Sequence, residues 1–214
     1  LEALAVTGKE MPLRWSVALC TLFCAVCLQI LSNLINDYYD YQRGADRRGR
    51  VGFKRALAEG EVTVKQIRTA CMVSLGLSLV SGLYLVLVGG LPIIGIGLSA
   101  IVCAWLYTAT PYSLSYLGIA DIFVLLFYGV IAGWGTSYLQ VNTIHFSSCQ
   151  VLCATAVNGL ISMCILMINN IRDMDSDRET GKKTIPVRFG KKTALVLMAL
   201  YVVCIPVLSS LAFR

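Results

Sequence analysis

Two stretches set aspartates and an asparagine at helical intervals: Asn36-Asp37-x-x-Asp40 and Asn170-x-x-Asp173-x-x-x-Asp177. On a helix, Asp37 and Asp40 share a face, with Asn36 one turn from Asp40. Asn170, Asp173 and Asp177 form a stripe in the same way, and Asp175 points away from it. Four carboxylates at the ends of apolar helices repel one another and resist desolvation, so something positive must offset them. Carboxylate and carboxamide oxygens are hard ligands suited to Mg²⁺, which is commonly held by one or two carboxylates together with phosphate oxygens of a substrate. Lys54 and Arg55 follow the first motif, and Arg172, Lys182 and Lys183 surround the second. A bare metal site has no use for those cations, whereas a metal-bound diphosphate does. The competing reading is a pair of solvated loops that only enforce topology. The recurrence of Asn before Asp, with both motifs on one side of a membrane, argues against it.

The elements that carry these motifs are apolar. Of 214 residues, 57% are hydrophobic and 14% charged, well below the roughly 25% charged residues of ordinary domains. That composition excludes a disordered chain, a nucleic-acid-binding domain and a typical cytosolic enzyme. Six runs are long enough to cross a hydrocarbon core of about 30 Å: Arg14–Ile35, Gln66–Val88, Leu91–Ala109, Leu117–Leu139, Gln150–Ile168 and Thr193–Leu211. Their length and lack of sustained alternation predict helices, hence an all-α integral membrane bundle. Asp121 alone brings a formal charge well inside this apolar body; it suits either an acceptor contact or a helix start at the interface.

Fifteen of the eighteen Lys and Arg residues fall in or beside the segments after the first and fifth spans. Four spans separate these segments, so both face the same side, and the positive-inside bias makes that side cytoplasmic. The segments 37–65 and 170–192 are therefore read as cytoplasmic active-site loops of one transmembrane domain covering 1–214. Each begins with a span ending in Asn and Asp and continues into basic residues, which suggests two related halves facing a shared cavity. The nine cysteines lie almost entirely within spans. A soft-metal site at Cys20, Cys24 and Cys27 is conceivable, but small buried apolar packing is the simpler role. His145 falls in a short polar loop on the far side and receives no chemistry. The chain opens at Leu1 and closes at Arg214 directly after an apolar run, which reads as a piece of a longer membrane protein.

At the two acidic motifs the sequence resembles the UbiA superfamily of intramembrane aromatic prenyltransferases. Its first motif, Asn-Asp-x-x-Asp, matches Asn36, Asp37 and Asp40; its second, Asp-x-x-Asp-x-x-x-Asp, matches with Asn170 replacing the first carboxylate. Gly44-Ala45-Asp46, Arg50–Leu57, Tyr107–Pro111, Asn169–Asp173, Gly181–Thr184 and Val187–Gly190 point to the superfamily's naphthoate branch. The resemblance implies a helical bundle of about nine transmembrane helices, of which about six are present here. It implies transfer of a polyprenyl group from a polyprenyl diphosphate to an aromatic acceptor, 1,4-dihydroxy-2-naphthoate in that branch, with loss of the ring carboxylate to give demethylmenaquinone. Asp37, Asp40, Asp173 and Asp177 would then bind Mg²⁺, helped by Asn36 and Asn170. Lys54, Arg55, Arg172 and Lys182 would bind the diphosphate. Tyr107, with Tyr38 or Tyr112, would face the allylic cation or anchor at the interface, and Asp121 would meet the acceptor. The partners expected are the two substrates and the lipid bilayer of a bacterial cell membrane, with no nucleic acid. Competing readings are a family member using 4-hydroxybenzoate or haem, a CDP-alcohol phosphotransferase, and a secondary transporter. The second lacks its Asp-Gly-x-x-Ala-Arg string here, and the third would set its ionisable groups near the midplane.

Overall fold

A backbone in lipid must satisfy its own hydrogen bonds, and helices do so within each segment. The computed structural model describes residues 12–44, 55–108, 114–141 and 149–213, and contains no strand among them. In order these form α1 (Trp15–Gln42), α2 (Ala56–Glu59), α3 (Val64–Gly89), α4 (Leu91–Thr108), α5 (Leu114–Leu117), α6 (Ala120–Val141), α7 (Cys149–Arg172), α8 (Met174–Glu179) and α9 (Ile185–Ala212). Five of them, α1, α3, α6, α7 and α9, are long and apolar enough to cross a membrane, and α4 is a shorter apolar helix. All six spans read from the sequence are therefore helical.

The helices overrun the hydrocarbon in a useful way. The 28 residues of α1 extend about 42 Å, against a core of about 30 Å. The helix is thus longer than the core is thick, and Asp37 and Asp40 lie in its last turns. α1 packs along α3 and α4, while α7 packs along α6 and α9. The two groups meet at the end remote from the aspartates. There Val17, Leu85, Ile93, Tyr138 and Leu139 form a buried cluster. The Tyr138 hydroxyl donates to the Gly89 carbonyl at 2.7 Å, and the Arg14 guanidinium donates to the Leu139 carbonyl at 3.3 Å. Nearer mid-height, the Tyr128 hydroxyl donates to Gln29 Oε1, joining α6 to α1.

Small side chains let α1 and α3 approach. Ser74, Ser78 and Ser81 are buried on α3, and Cys20 and Cys24 donate to the Ser81 and Ser78 carbonyls, each at 3.5 Å. All nine cysteines are free, and no three metal-ligating side chains converge among the described residues. Cys27 and Cys153 are buried, and Cys20 and Cys24 lie against α3.

Three features differ from a simple six-helix reading. The span read from Leu117 is divided by Gly118, whose φ of 75° ends one short turn before α6 begins. The middle of α6, Leu125–Ile131, is wound as a π-helix. The span read from Thr193 begins earlier, at Ile185, where Pro186 stands in the first turn of the helix; Gly190 (φ 85°) then kinks it.

Close helix approach is sharpest between α6 and α7. A Cβ on Gly159 would sit 2.8 Å from Leu125 Cδ1 and 3.1 Å from Gly129 Cα. A Cβ on Gly97, in contrast, would meet nothing within 4 Å. Overpacking of this kind destabilises by about 1–3 kcal/mol. Gly159→Ala should therefore lower the unfolding midpoint in detergent, and Gly97→Ala should leave it unchanged; parallel thermal melts check both.

Candidate active site

The α1 tip is ordered by a glycine cap. Gly44 takes φ 68° and its N–H donates to the Tyr41 carbonyl at 3.1 Å, the left-handed ending that only glycine adopts without strain. Asp37 and Asp40 lie in the last turns, 8% and 2% exposed. The α7 tip is less regular. Asp173 leaves helical geometry (φ −92°, ψ 7°). Its N–H nevertheless still reaches the Asn169 carbonyl at 2.9 Å, and its own carbonyl accepts from Asp177 N–H at 2.8 Å. The ladder survives the break, so the four-residue spacing keeps Asp173 and Asp177 on the buried side. Asp175 points outward, its carboxylate 89% exposed and 3.9 Å from Arg178.

α8 then ends in a Schellman motif. Gly181 adopts φ 79°, its N–H donates to the Arg178 carbonyl at 3.3 Å, and the Lys182 N–H donates to the Asp177 carbonyl at 2.9 Å. That pair of bonds defines the motif, and it turns Lys182 back over its own helix. The ammonium lands between the two acidic motifs, 2.9 Å from Asp40 Oδ2 and 3.9 Å from Asp177 Oδ1. The sum of those two distances is the greatest separation the two oxygens can have. Aspartates 137 positions apart in sequence thus share one cation.

Each remaining carboxylate has a cation of its own. Arg172 grips Asp173 with two bonds, at 2.8 and 2.7 Å, and Arg55 Nε lies 3.9 Å from Asp37. Burial works against the Lys182 charge, but the Asp40 and Asp177 carboxylates outweigh it and hold its pKa above the ordinary lysine value. No three of these carboxylates converge closely enough for an all-protein metal site; one or two of them suit a divalent ion that takes the rest of its shell from phosphate and water. Asp40 Oδ1 is buried and has no hydrogen-bond partner, a lone pair set aside in a place where neutral protein gives it nothing. Asn36 and Asn170 are half-buried on the same tips.

Two residues were not singled out by sequence. Arg43 Cζ stands 4.7 Å from the centre of the Tyr116 ring, and Lys182 Nζ stands 5.7 Å from it. Arg43 is three residues past Asp40, a spacing that could have flagged it; nothing in the sequence flags Tyr116. Tyr107 lies within electrostatic reach of Asp121, Asp40 and Asp177. Asp121 is 6% exposed, its Oδ1 without a hydrogen bond, and Tyr201 is within its electrostatic reach. The N-cap of α6 is Ile119, and no side chain caps that end. Asp121 is thus a buried carboxylate in the first turn of α6, where the helix N-terminus favours negative charge. Lys54, Asp46, Tyr112 and His145 lie outside the described residues.

Beside the acidic tips, an apolar groove of about 1040 Å³ runs between α1, α3 and α4. Tyr38 and Tyr39 form its upper wall, Leu31, Ile35, Met72 and Leu75 its length, and Lys65 and Arg68 are on its rim. Trp105 reaches Tyr39 edge to face, with ring centres 6.1 Å apart.

The model of the UbiA prenyltransferase family matches residues 3–213. The chain belongs to the UbiA prenyltransferase family. UbiA proteins are enzymes that transfer prenyl groups, and they generally depend on a divalent metal. Among curated relatives, the chain is 41% identical over 186 residues to a 1,4-dihydroxy-2-naphthoate octaprenyltransferase of Escherichia coli, a match covering 83% of this chain and 59% of that protein. It is 33% identical over 195 residues to the protein of that name from Haemophilus influenzae, covering 88% and 62%. The corresponding Mycobacterium tuberculosis protein is 36% identical over 176 residues, covering 82% and 59%. This UbiA chain spans about six-tenths of the length of these relatives. No solved structure matches it.

Removing one partner of a buried ion pair typically costs about 3–5 kcal/mol, because the other charge is left stranded. Lys182→Met should therefore lower stability markedly when divalent ions are absent. The raised lysine pKa fixes the pH window. The contribution is complete below the ordinary value of 10.5 and is lost as pH climbs through the higher folded value. Chemical denaturation of both proteins should give a constant difference between about pH 6 and 9, shrinking only in stronger alkali.

Proposed function

We propose that this chain forms the prenyl-transfer core of a 1,4-dihydroxy-2-naphthoate polyprenyltransferase in a bacterial cell membrane, with the acidic tips facing the cytoplasm. The observation that carries the reading is the single ammonium shared by Asp40 and Asp177. Two motifs from opposite ends of the chain converge on a charge of the kind a diphosphate oxygen accepts. The curated relatives named above support the choice of acceptor, and the concentration of Lys and Arg on the motif side supports the orientation.

Asp37 and Asp40 on one tip, and Asp173 and Asp177 on the other, would hold Mg²⁺, with Asn36 and Asn170 completing its shell. When bound, Mg²⁺ supplies charge neutralisation on the diphosphate as the allylic C–O bond breaks. The chain's cations act on the same charge. Lys182, Arg172 and Arg55 already stand within 4 Å of the carboxylates, and Lys54 precedes Arg55 in sequence. Growing negative charge on the leaving group thus meets cations already gathered at the rim. The isoprenoid tail lies in the groove between α1, α3 and α4, whose apolar length starts beside the first motif. The faces of Tyr107 and Tyr38 meet the allylic fragment as it becomes cationic. Asp121, buried with an unsatisfied oxygen, accepts a hydrogen bond from an acceptor hydroxyl and raises the electron density of the ring. The new C–C bond forms at the ring carbon that bears the carboxylate. The C–C bond to that carboxylate then breaks, its electron pair restores the aromatic ring, and CO₂ leaves.

The test is prenylation by the full-length protein in membranes, with 1,4-dihydroxy-2-naphthoate, 4-hydroxybenzoate and haem offered separately. Product from the naphthoate alone, abolished by EDTA and restored by Mg²⁺, is the expected result. Preference for either other acceptor would overturn the assignment. Asp37→Asn and Asp173→Asn should each reduce diphosphate release by about 10²–10³-fold, as loss of one preorganised electrostatic contact does, while the protein still inserts. A transporter would keep metal-independent binding in the same variants.

A further inference from the structure

Tyr116 belongs to neither acidic motif, yet it touches a cation from beside each. Arg43 follows the first motif and lies 4.7 Å from the ring centre; Lys182 follows the second and lies 5.7 Å from it. Both distances fall within the roughly 6 Å over which an aromatic face attracts a cation. The contact is built into the backbone as well. Gly118, two residues on, holds φ 75°, and a Cβ there would collide with the Lys183 carbonyl oxygen. The turn after α5 and the turn carrying Lys182 are therefore pressed together, with Tyr116 on one and Lys182 on the other. The Tyr116 hydroxyl takes no part: it is buried without a hydrogen-bond partner, a liability by itself. The ring contacts are what the position supplies.

Resting on the prenyl-transfer reading, we infer that Tyr116 is a positioning residue whose ring gathers Arg43 and Lys182 into one diphosphate-binding pair. Two cations on one ring repel each other, and the Asp40 and Asp177 carboxylates beside Lys182 temper that repulsion until a polyanion arrives. A diphosphate, with several negative oxygens spread over two phosphorus atoms, complements a pair of cations held this way better than a single phosphate does. The ring also limits the wandering of two long side chains, so less rotamer freedom is lost when the ligand arrives.

The experiment uses the full-length protein in membranes, with inorganic pyrophosphate plus Mg²⁺ as the probe, read as competitive inhibition against polyprenyl diphosphate. Tyr116→Phe keeps the ring and should bind pyrophosphate within about twofold of wild type. Tyr116→Leu should bind it about tenfold more weakly, with the KM for the aromatic acceptor and the unfolding midpoint unchanged. Three results overturn the inference: Tyr116→Leu binding like wild type, Tyr116→Phe losing as much as Tyr116→Leu, or a loss that falls equally on acceptor KM and unfolding midpoint. The second would move the role to the hydroxyl, and the third would make Tyr116 a packing residue. Failure of the wild-type protein itself to bind pyrophosphate would instead overturn the prenyl-transfer reading, so the two failures are separable.

Discussion

Like charges brought together in a poorly solvating place need a counter-charge, and in this protein Lys182 is the one that joins the halves. It is buried against the carboxylates of Asp40 and Asp177, and both are nearly inaccessible to solvent. Without a cation between them, the tips of α1 and α8 would repel and separate. With it, they form one rim. Arg172 on Asp173 and Arg55 near Asp37 do the same locally. The site is therefore poised electrostatically: three cations stand against four carboxylates, with Lys182 shared by two of them, and Asp40 Oδ1 has no hydrogen-bond partner. Such a surface receives a metal and a polyanion together more readily than it receives either alone.

The rest of the bundle serves to hold that rim at the edge of the lipid. α1 is longer than the hydrocarbon core is thick, and its aspartates lie in its last turns. The small residues between α1 and α3, and the glycine pair between α6 and α7, bring helices close enough for thiols and backbone atoms to meet across the contact. In a membrane this close packing replaces the hydrophobic drive that water supplies elsewhere. Apolar side chains facing outward, such as Leu22, Val80 and Val203, are what a lipid-facing surface requires and need no other partner.

Much of this was legible in residue order. Run length and the clustering of Lys and Arg gave six helices and put both motifs on one side, because membrane thickness and backbone satisfaction leave few alternatives. The i, i+3 and i, i+7 spacing identified Asp37, Asp40, Asp173 and Asp177, since the turns carrying them are helical or nearly so. The direction of Asp175 followed from the same periodicity. Lys182 was picked for its charge, but its position between the motifs depends on the left-handed turn at Gly181, a tertiary consequence that composition does not encode. Tyr116 and Arg43 went unmarked for the same reason: a cation on an aromatic face is set by the meeting of distant turns. The early start of α9 was hidden because Thr184 and Pro186 sit within a polar stretch that reads as loop. Asp121 stood out as a charge in an apolar run, yet only the fold distinguishes a buried carboxylate from one at the interface.

The location of the apolar cluster around Val17 has a mechanical corollary. It binds the two helix groups at one end of α1, while Asp40 lies near the other, about 35 Å away at 1.5 Å per residue. The cluster is thus a fulcrum and α1 a lever. Rocking by about 5° about such a fulcrum displaces the tip by about 3 Å, roughly the difference between an ammonium in direct contact and one standing back by the width of an atom. The same tilt would carry Gln29, about 18 Å from the cluster, away from Tyr128 by about 1.6 Å, so that one mid-height bond is the brake on the lever.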